Sequence, residues 1–437
     1  MTAWGEASSR IRVLLVAVLV TGVTTFMFLP LLAIDLTARG VRAGVMGAMV
    51  GLLAFSSQGF SLVTGLLLDR FGALRVLGCG FAFRIAGYLI LGLSPGKALA
   101  PLTGGIVAIG VGGSMLGLTI KTMLVTEPAS SPRAMLALRS TFVNVGVVVG
   151  PALGALTYRA GFRVILLVCV LSHLVLAIRL VQVRANRPEP RRPAVAEATS
   201  ANIEAWASSS PAEVPSGSAS PPGSAPNHVS PARAGTVAAA TQSAVPHPVW
   251  GAANWGTLCV ITVAYWAIYS QLNTVVPVAV KAMTGTPTAI SVIFTLNGAL
   301  VVLFQYVLLQ RVFKRADART LLILGFVSFA IAYTILMSEA GWWSVLCFVL
   351  PLTLAEMLIG PSLDEQVVRV APRHRTGRAL GVLSTAAACG SLLGASLGGT
   401  LFEALDGRAA VWMAVAGCAV AAAGASALLP KSRRGYV

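Results

Sequence analysis

Apolar residues run along this chain in long blocks without a charge. Asp, Glu, Lys and Arg are absent from 13–34, 43–68, 98–120, 140–158, 250–280, 282–310, 320–338, 379–402 and 409–430. Three further blocks carry isolated polar side chains: 76–95 holds Arg84, 164–183 holds His173 and Arg179, and 340–363 holds Glu356. A hydrocarbon layer about 30 Å thick is crossed by about 20 apolar residues in a helix. Lipid offers the backbone no hydrogen-bond partners, so a helix that satisfies its own is the form such blocks take. The pattern predicts an all-α membrane protein with twelve transmembrane helices. The first block is long enough to span and a second follows closely, which argues against a cleavable leader.

The blocks stop between Arg184 and Trp250, where 11 of the 23 prolines fall among Ser and Ala runs. Too little apolar surface is present there to offset the entropy of ordering, so 184–249 is expected to be a disordered cytoplasmic linker. It separates six spans in 1–183 from six in 250–437. The halves echo each other at an offset of 245 residues: Gly80, Phe81 and Tyr88 match Gly325, Phe326 and Tyr333, Arg70 matches Arg315, and Ala134, Leu138 and Gly154 match Ala379, Leu383 and Gly399. Repeated halves are common in secondary transporters.

Composition adds the reading of charge. Hydrophobic residues make up 56% of 437 positions and charged ones 11%, against about a quarter in soluble domains. The net charge of +17 does not gather on one face or domain, as nucleic-acid binding would require. With the amino terminus inside, 24 Lys and Arg fall on the inner side, seven on the outer side, and Arg84 alone stays in the membrane. That asymmetry predicts both termini in the cytoplasm. Arg outnumbers Lys 27 to five, an association with GC-rich genomes that fits a bacterial inner membrane. The six cysteines and four histidines are scattered, so neither a metal site, a cofactor, nor an enzyme's nucleophile arrangement is expected.

The loop after the second block reads Gly65-Leu66-Leu67-Leu68-Asp69-Arg70-Phe71-Gly72-Ala73-Leu74-Arg75. Gly65 and Gly72 suit close helix approach and a tight turn, and Asp69 suits a neighbouring helix amino terminus. This resembles the signature of the major facilitator superfamily, with Ala73 and Leu74 standing where basic residues are common. The resemblance implies two pseudo-symmetric six-helix bundles, alternating access, and contact of Asp69 with the span-eleven start near Gly377 when the cytoplasmic side is closed. It also implies a monomer in the lipid bilayer that carries a small-molecule substrate. Span five contains Asn144, Gly146, Gly150, Pro151 and Gly154, similar to a motif of the drug/proton antiporters, with Ala155 in place of the final glycine. Its glycines share one face, suiting tight packing, and Pro151 introduces a kink. This motif is the reason for expecting export with protons as the coupled partner.

Ionisable residues inside a membrane are functional candidates because their burial is costly. Glu356 suits a proton carrier, or else a structural carboxylate paired with another helix. Arg84 suits a counter-charge to it, or else a stem that snorkels to the cytoplasmic interface or a structural role. His173 reads as a packing group, and Asp364, Glu365 and Glu127 as parts of gates or loop networks. The first half lacks a buried acid in span one and has Ile106 where many relatives place an arginine. In the family architecture spans one, four, seven and ten line the central path, which nominates Thr21, Thr24, Thr25 and Phe28 with Tyr265, Trp266, Tyr269, Gln271 and Asn273, and Asn144 from span five. Aromatic walls with neutral hydrogen-bonding groups suit a largely apolar organic compound. The alternatives are a uniporter or importer on the same fold, and a membrane sensor that transports nothing.

Overall fold

The computed structural model describes residues 9–125, 132–185, 252–313, 316–370, 376–405 and 408–429. Of the expected linker, 184 and 185 still belong to the sixth span; the rest of it and the acid at position 127 lie outside the described residues. All the regular structure in these residues is helical. Spans one to six are Ser9–Ala38, Ala43–Gly59 with Ser61–Phe71, Ala73–Leu93, Leu99–Val125, Pro132–Tyr158 and Phe162–Ala185. Spans seven to twelve are Ala252–Ser270 with Val275–Thr284, Thr288–Val307, Ala318–Leu336, Trp342–Val370, Thr376–Ala404 and Arg408–Ser426. By length and composition, 11 of the described helices suffice to cross a membrane, and span two makes 12 when its bent pair is taken together. The two sides of the bundle are called here the near side, where span one begins, and the far side, where it ends.

Two spans are broken, each for a local reason. Span two bends by 41° between Gly59 and Ser61. Ser61 Oγ takes the Gln58 carbonyl at 2.6 Å, and small residues of this kind are where helices bend sharply. Span seven passes through a tighter turn at Gln271–Asn273 before restarting at Val275. Pro277 has no N–H for the Asn273 carbonyl and its ring crowds that position, so a continuous α-helix cannot pass.

Span two ends at Gly72, whose φ of 78° is one that side-chain-bearing residues rarely adopt. Leu62, Leu93, Leu156, Val181, Val260, Trp343 and Val420 all stand exposed on the outer surface of the helices, as lipid contact requires. The buried aromatics sit between helices. Tyr333 stacks on Trp412 with centroids 5.8 Å apart and donates its hydroxyl to the Ile268 carbonyl at 2.9 Å.

The repeat has a packing basis. Gly80 and Gly325 stand where a methyl group would meet the following span, at Leu116 in one half and Ile359 in the other, while Tyr88 and Tyr333 are both fully buried. In spans five and eleven the equivalence needs one correction. Gly154 packs on Met27 of its own half, whereas Gly399 packs on Ala43 of the other half. The true counterparts of Gly146, Gly150 and Gly154 are Gly390, Gly394 and Gly398, 244 positions on, which face Val263, Ala267 and Gln271 of span seven just as the first three face span one.

The halves meet on the far side. A methyl group on Gly47 would lie 3.2 Å from the Gly399 Cα, and one on Gly51 would lie 2.9 Å from the Leu392 Cα. Gly44 N donates to Glu403 Oε2 at 3.0 Å, and Arg42 stands 4.0 Å from the same carboxylate. Midway down, Thr295 Oγ1 of span eight donates to the Val148 carbonyl of span five at 3.3 Å. On the near side the second piece of span two packs on spans three and four instead.

Candidate functional site

Between the halves lies a cavity of about 440 Å³. Thr21, Thr25 and Phe28 line it from span one, and Trp266, Tyr269 and Asn273 from span seven, as the sequence suggested. Phe294, Ser57, Gln58, Ser391, Arg84 and Arg139 complete its character. Tyr265 is buried and lines a smaller adjoining pocket instead, which shares Gln58 and Trp266 with the main one and has Asp364 at its edge. Asn144 is absent from both walls; the neighbouring Val143 lines the main cavity in its place. Thr24 is buried and bonded to the Val20 carbonyl, and Gln271 holds span seven to span eleven through the Gly394 carbonyl. Down the near side the lining reaches Ile120 and Arg139, close to the ends of their helices at Val125 and Pro132.

Ser57, Gln58 and Ser391 had a signal in the sequence: polar groups within otherwise apolar blocks. Arg139 did not. Its place near a helix end makes it read as a loop charge until the helix is seen to begin seven residues earlier, at Pro132.

The carboxylate of Glu356 is held by two neutral donors. Asn297 Nδ2 of span eight reaches Oε2 at 2.8 Å, and the Tyr269 hydroxyl reaches Oε1 at 3.3 Å. Tyr269 is thus a cavity wall on one side and a ligand of the acid on the other. Arg84 is elsewhere. Its Nη2 donates to Thr25 Oγ1 at 2.8 Å and to the Tyr88 hydroxyl at 2.6 Å, and its guanidinium carbon lies 5.5 Å from the Tyr88 ring centre. It forms no ion pair with Glu356 and, at 4% exposure, does not reach an interface. The counter-charge to Glu356 and the snorkelling stem therefore both fail, while a structural role agrees with its bonds to Thr25 and Tyr88. The reason is span four: Gly112 lies so close that a methyl group would sit 2.7 Å from Arg84 Cγ, and this space lets the stem turn inward.

His173 is buried, bonds the Cys169 carbonyl through Nδ1 at 2.8 Å, and packs by the rings of Phe81 and Tyr88, in keeping with a packing role.

In the signature loop, Asp69, Arg70 and Arg75 are exposed, and Arg70 lies over the Phe71 ring at 5.5 Å. Among the described residues Asp69 has no hydrogen-bond or ion-pair partner, and side chains around Gly377 lie outside them. Gly65 does not serve close helix approach: a methyl group there meets nothing within 4 Å. That part of span two stands away from the other half. The span-five glycines do pack tightly. Methyl groups on Gly146, Gly150 and Gly154 would fall 2.8 Å from the Gly22 carbonyl carbon, 2.7 Å from the Val23 oxygen and 2.6 Å from the Met27 oxygen. Pro151 is buried within that helix.

The profile of the Major Facilitator Superfamily matches residues 14–281 and 257–436. The chain belongs to that superfamily. It is a multi-pass membrane protein with the superfamily's fold of two six-helix bundles. Among relatives, it is 28% identical over 163 residues to the uncharacterized MFS-type transporter YttB of Bacillus subtilis (strain 168), covering 36% of this chain and 41% of that one. It thus spans about two fifths of the length of that relative. It is 23% identical over 400 residues to the multidrug resistance protein MdtH of Aeromonas salmonicida (strain A449), covering 89% of this chain and 86% of that protein. Among solved structures, the POT family transporter PepTSo superposes with a TM-score of 0.71 at 14% identity, covering 97% of this chain and 98% of that one. An auto-inhibited POT family peptide transporter gives 0.72 at 12%, covering 98% and 99%. At such identity these two establish the shared superfamily fold.

Proposed function

We propose that this protein exports a small organic compound from a bacterial cell by proton-coupled alternating access, with 1–183 and 250–437 as the two rocking bundles and 184–249 as their linker. The charge asymmetry makes the near side cytoplasmic, with both termini there. The state described above is then the inward-facing one, its far side sealed by spans two and eleven. In the opposite state the signature loop closes the cytoplasmic side, and Asp69 meets the amino-terminal end of span eleven.

The observation that carries this reading is the bridge from cavity to acid: Tyr269 lines the cavity and donates to Glu356 at 3.3 Å. An ionised Glu356 accepts from both Asn297 and Tyr269. Once protonated it becomes a donor itself and accepts more weakly, which loosens its bonds to Asn297 and Tyr269. A ligand resting on the Tyr269 ring therefore feels the protonation state. Export rather than uptake is supported by the similarity to the multidrug resistance protein and by the span-five motif.

The test is transport by purified protein in liposomes, using a panel of apolar dyes and an imposed pH gradient. Dye accumulation against its own gradient, driven by proton movement in the opposite direction, is expected. Dye exchange that ignores the pH gradient overturns the coupling and leaves a uniporter; no flux of any compound under any gradient leaves a sensor.

A further inference from the structure

Arg84 spends only one terminal nitrogen, Nη2, on the protein. Among the described residues its Nε is buried without a partner, and Nη1 has no protein acceptor. Arg139 repeats the situation: it lines the same cavity and its Nε is buried and unpartnered. Among the described residues no Asp or Glu lines this cavity, and Glu356 is spoken for by Asn297 and Tyr269. Asp364, the acid that lines the adjoining pocket, belongs to the other half. A guanidinium is permanently charged and offers five donors, so leaving one buried without a counter-charge is costly unless something else supplies it. Among the described residues no carboxylate does so here, and the Tyr88 ring beside Arg84 carries no formal charge.

The two arginines also stand at different depths. Arg139 is seven residues into its helix from the near side and Arg84 is eleven into its own. At about 1.5 Å per residue the second lies roughly 6 Å deeper. Phe28, Phe294 and Trp266 give the same cavity large apolar surfaces, among neutral polar groups such as Asn273 and Tyr269.

We propose that the cavity binds an amphipathic organic anion, whose carboxylate passes Arg139 at the mouth and docks on Arg84, while its apolar body lies against Phe28, Phe294 and Trp266. This rests on the transporter reading and gives its substrate class. Thr25 and Tyr88 hold the guanidinium so that its free edge stays available to the ligand, and a fork of parallel N–H groups matches a carboxylate.

The experiment compares three probes on the purified full chain in neutral detergent: naphthalene-1-acetate, naphthalene-1-acetamide and naphthalene-1-methylammonium, with affinities read by calorimetric titration. The acetate is expected to bind at least about tenfold more tightly than the other two, in a salt-dependent way. Arg84→Gln and Arg139→Gln should each erase most of that preference while leaving the amide's affinity unchanged, and Arg84→Lys should keep part of it. Should Arg84→Gln not fold, the lysine variant and Arg139→Gln carry the same comparison. Equal affinity for the three probes, no measurable binding of the acetate, or a preference that survives the substitutions overturns the proposal. Liposomes that move none of the probes, beside a purified chain that keeps the preference, sink transport and leave this site standing; flux of the amide without any anion preference does the reverse.

Discussion

Asn297 and Glu356 face each other across two spans of the second half, the amide nitrogen 2.8 Å from the carboxylate. The pair joins span eight, which touches span five of the opposite half, to span ten. A continuous set of contacts thus runs from the acid to the boundary between the halves. Glu356→Gln removes the titrating group while keeping the shape. Driven export in a pH gradient should vanish, while downhill exchange of the same dye persists. Intact pH-driven accumulation by this variant would take Glu356 out of the proton path.

Tyr269→Phe keeps the ring on the cavity wall and deletes the hydroxyl that reaches the acid. Ligand affinity should stay within about threefold, since one neutral hydrogen bond contributes roughly 0.5 to 1.5 kcal/mol and this one is not made to the ligand. The ratio of pH-driven to downhill flux should fall. An affinity loss with an unchanged ratio would mark Tyr269 as a binding residue only.

The two glycine stripes carry equal packing weight. Gly150→Val and Gly394→Val each force a side chain against a neighbouring backbone, and overpacking of this kind costs typically about 1 to 3 kcal/mol. Both variants should lower the midpoint of thermal unfolding in detergent. If Gly150→Val alone does so, the span-eleven stripe is not the packing equivalent of the span-five one.

The two access states predict opposite cross-linking. In a background without the six native cysteines, Gly44→Cys with Thr400→Cys should form a disulfide readily and arrest transport, because a side chain at Gly44 lies beside that of Thr400 on the far side, its Cβ 3.5 Å from the Thr400 Cα. Asp69→Cys with Gly377→Cys should cross-link only when the near side closes, and less often when the first pair is already joined. Equal near-side cross-linking under both conditions would contradict alternating access.

As a gate, Asp69 should act on rate. Asp69→Asn is expected to slow turnover with affinity nearly unchanged, because a dipole contact of about 0.3 to 1 kcal/mol biases one state over the other without touching the ligand. Competition binding beside initial-rate flux separates the two; a loss confined to affinity would exclude a gate.

Much of the fold is legible in the sequence because the bilayer imposes a length: Glu356 and Arg84 stand out as ionisable residues only against blocks otherwise free of charge. The cavity is harder to see. A membrane helix is apolar towards lipid and towards its neighbours alike, so no polar face announces which side of span five looks inward. Hence Asn144 was expected in the wall and Val143 is found there, one position away on the helix. Arg139 was hidden for the converse reason, since a charge within a few residues of a helix end also satisfies the topology rule. Arg84 was visible but its partner was not, because the space that turns it inward is made by Gly112 on a different span. The glycine stripe of span eleven escaped notice because it stands one residue out of step with the offset that relates spans three and nine.

Where Gly47 approaches Gly399, main chain lies against main chain with no side chain between. A barrier made of rotamers yields one side chain at a time and passes water or protons as it does so. Two helix backbones in direct contact have no such partial opening; they separate along their length or stay shut. In the proposed cycle the far side then opens only when whole helices move apart together.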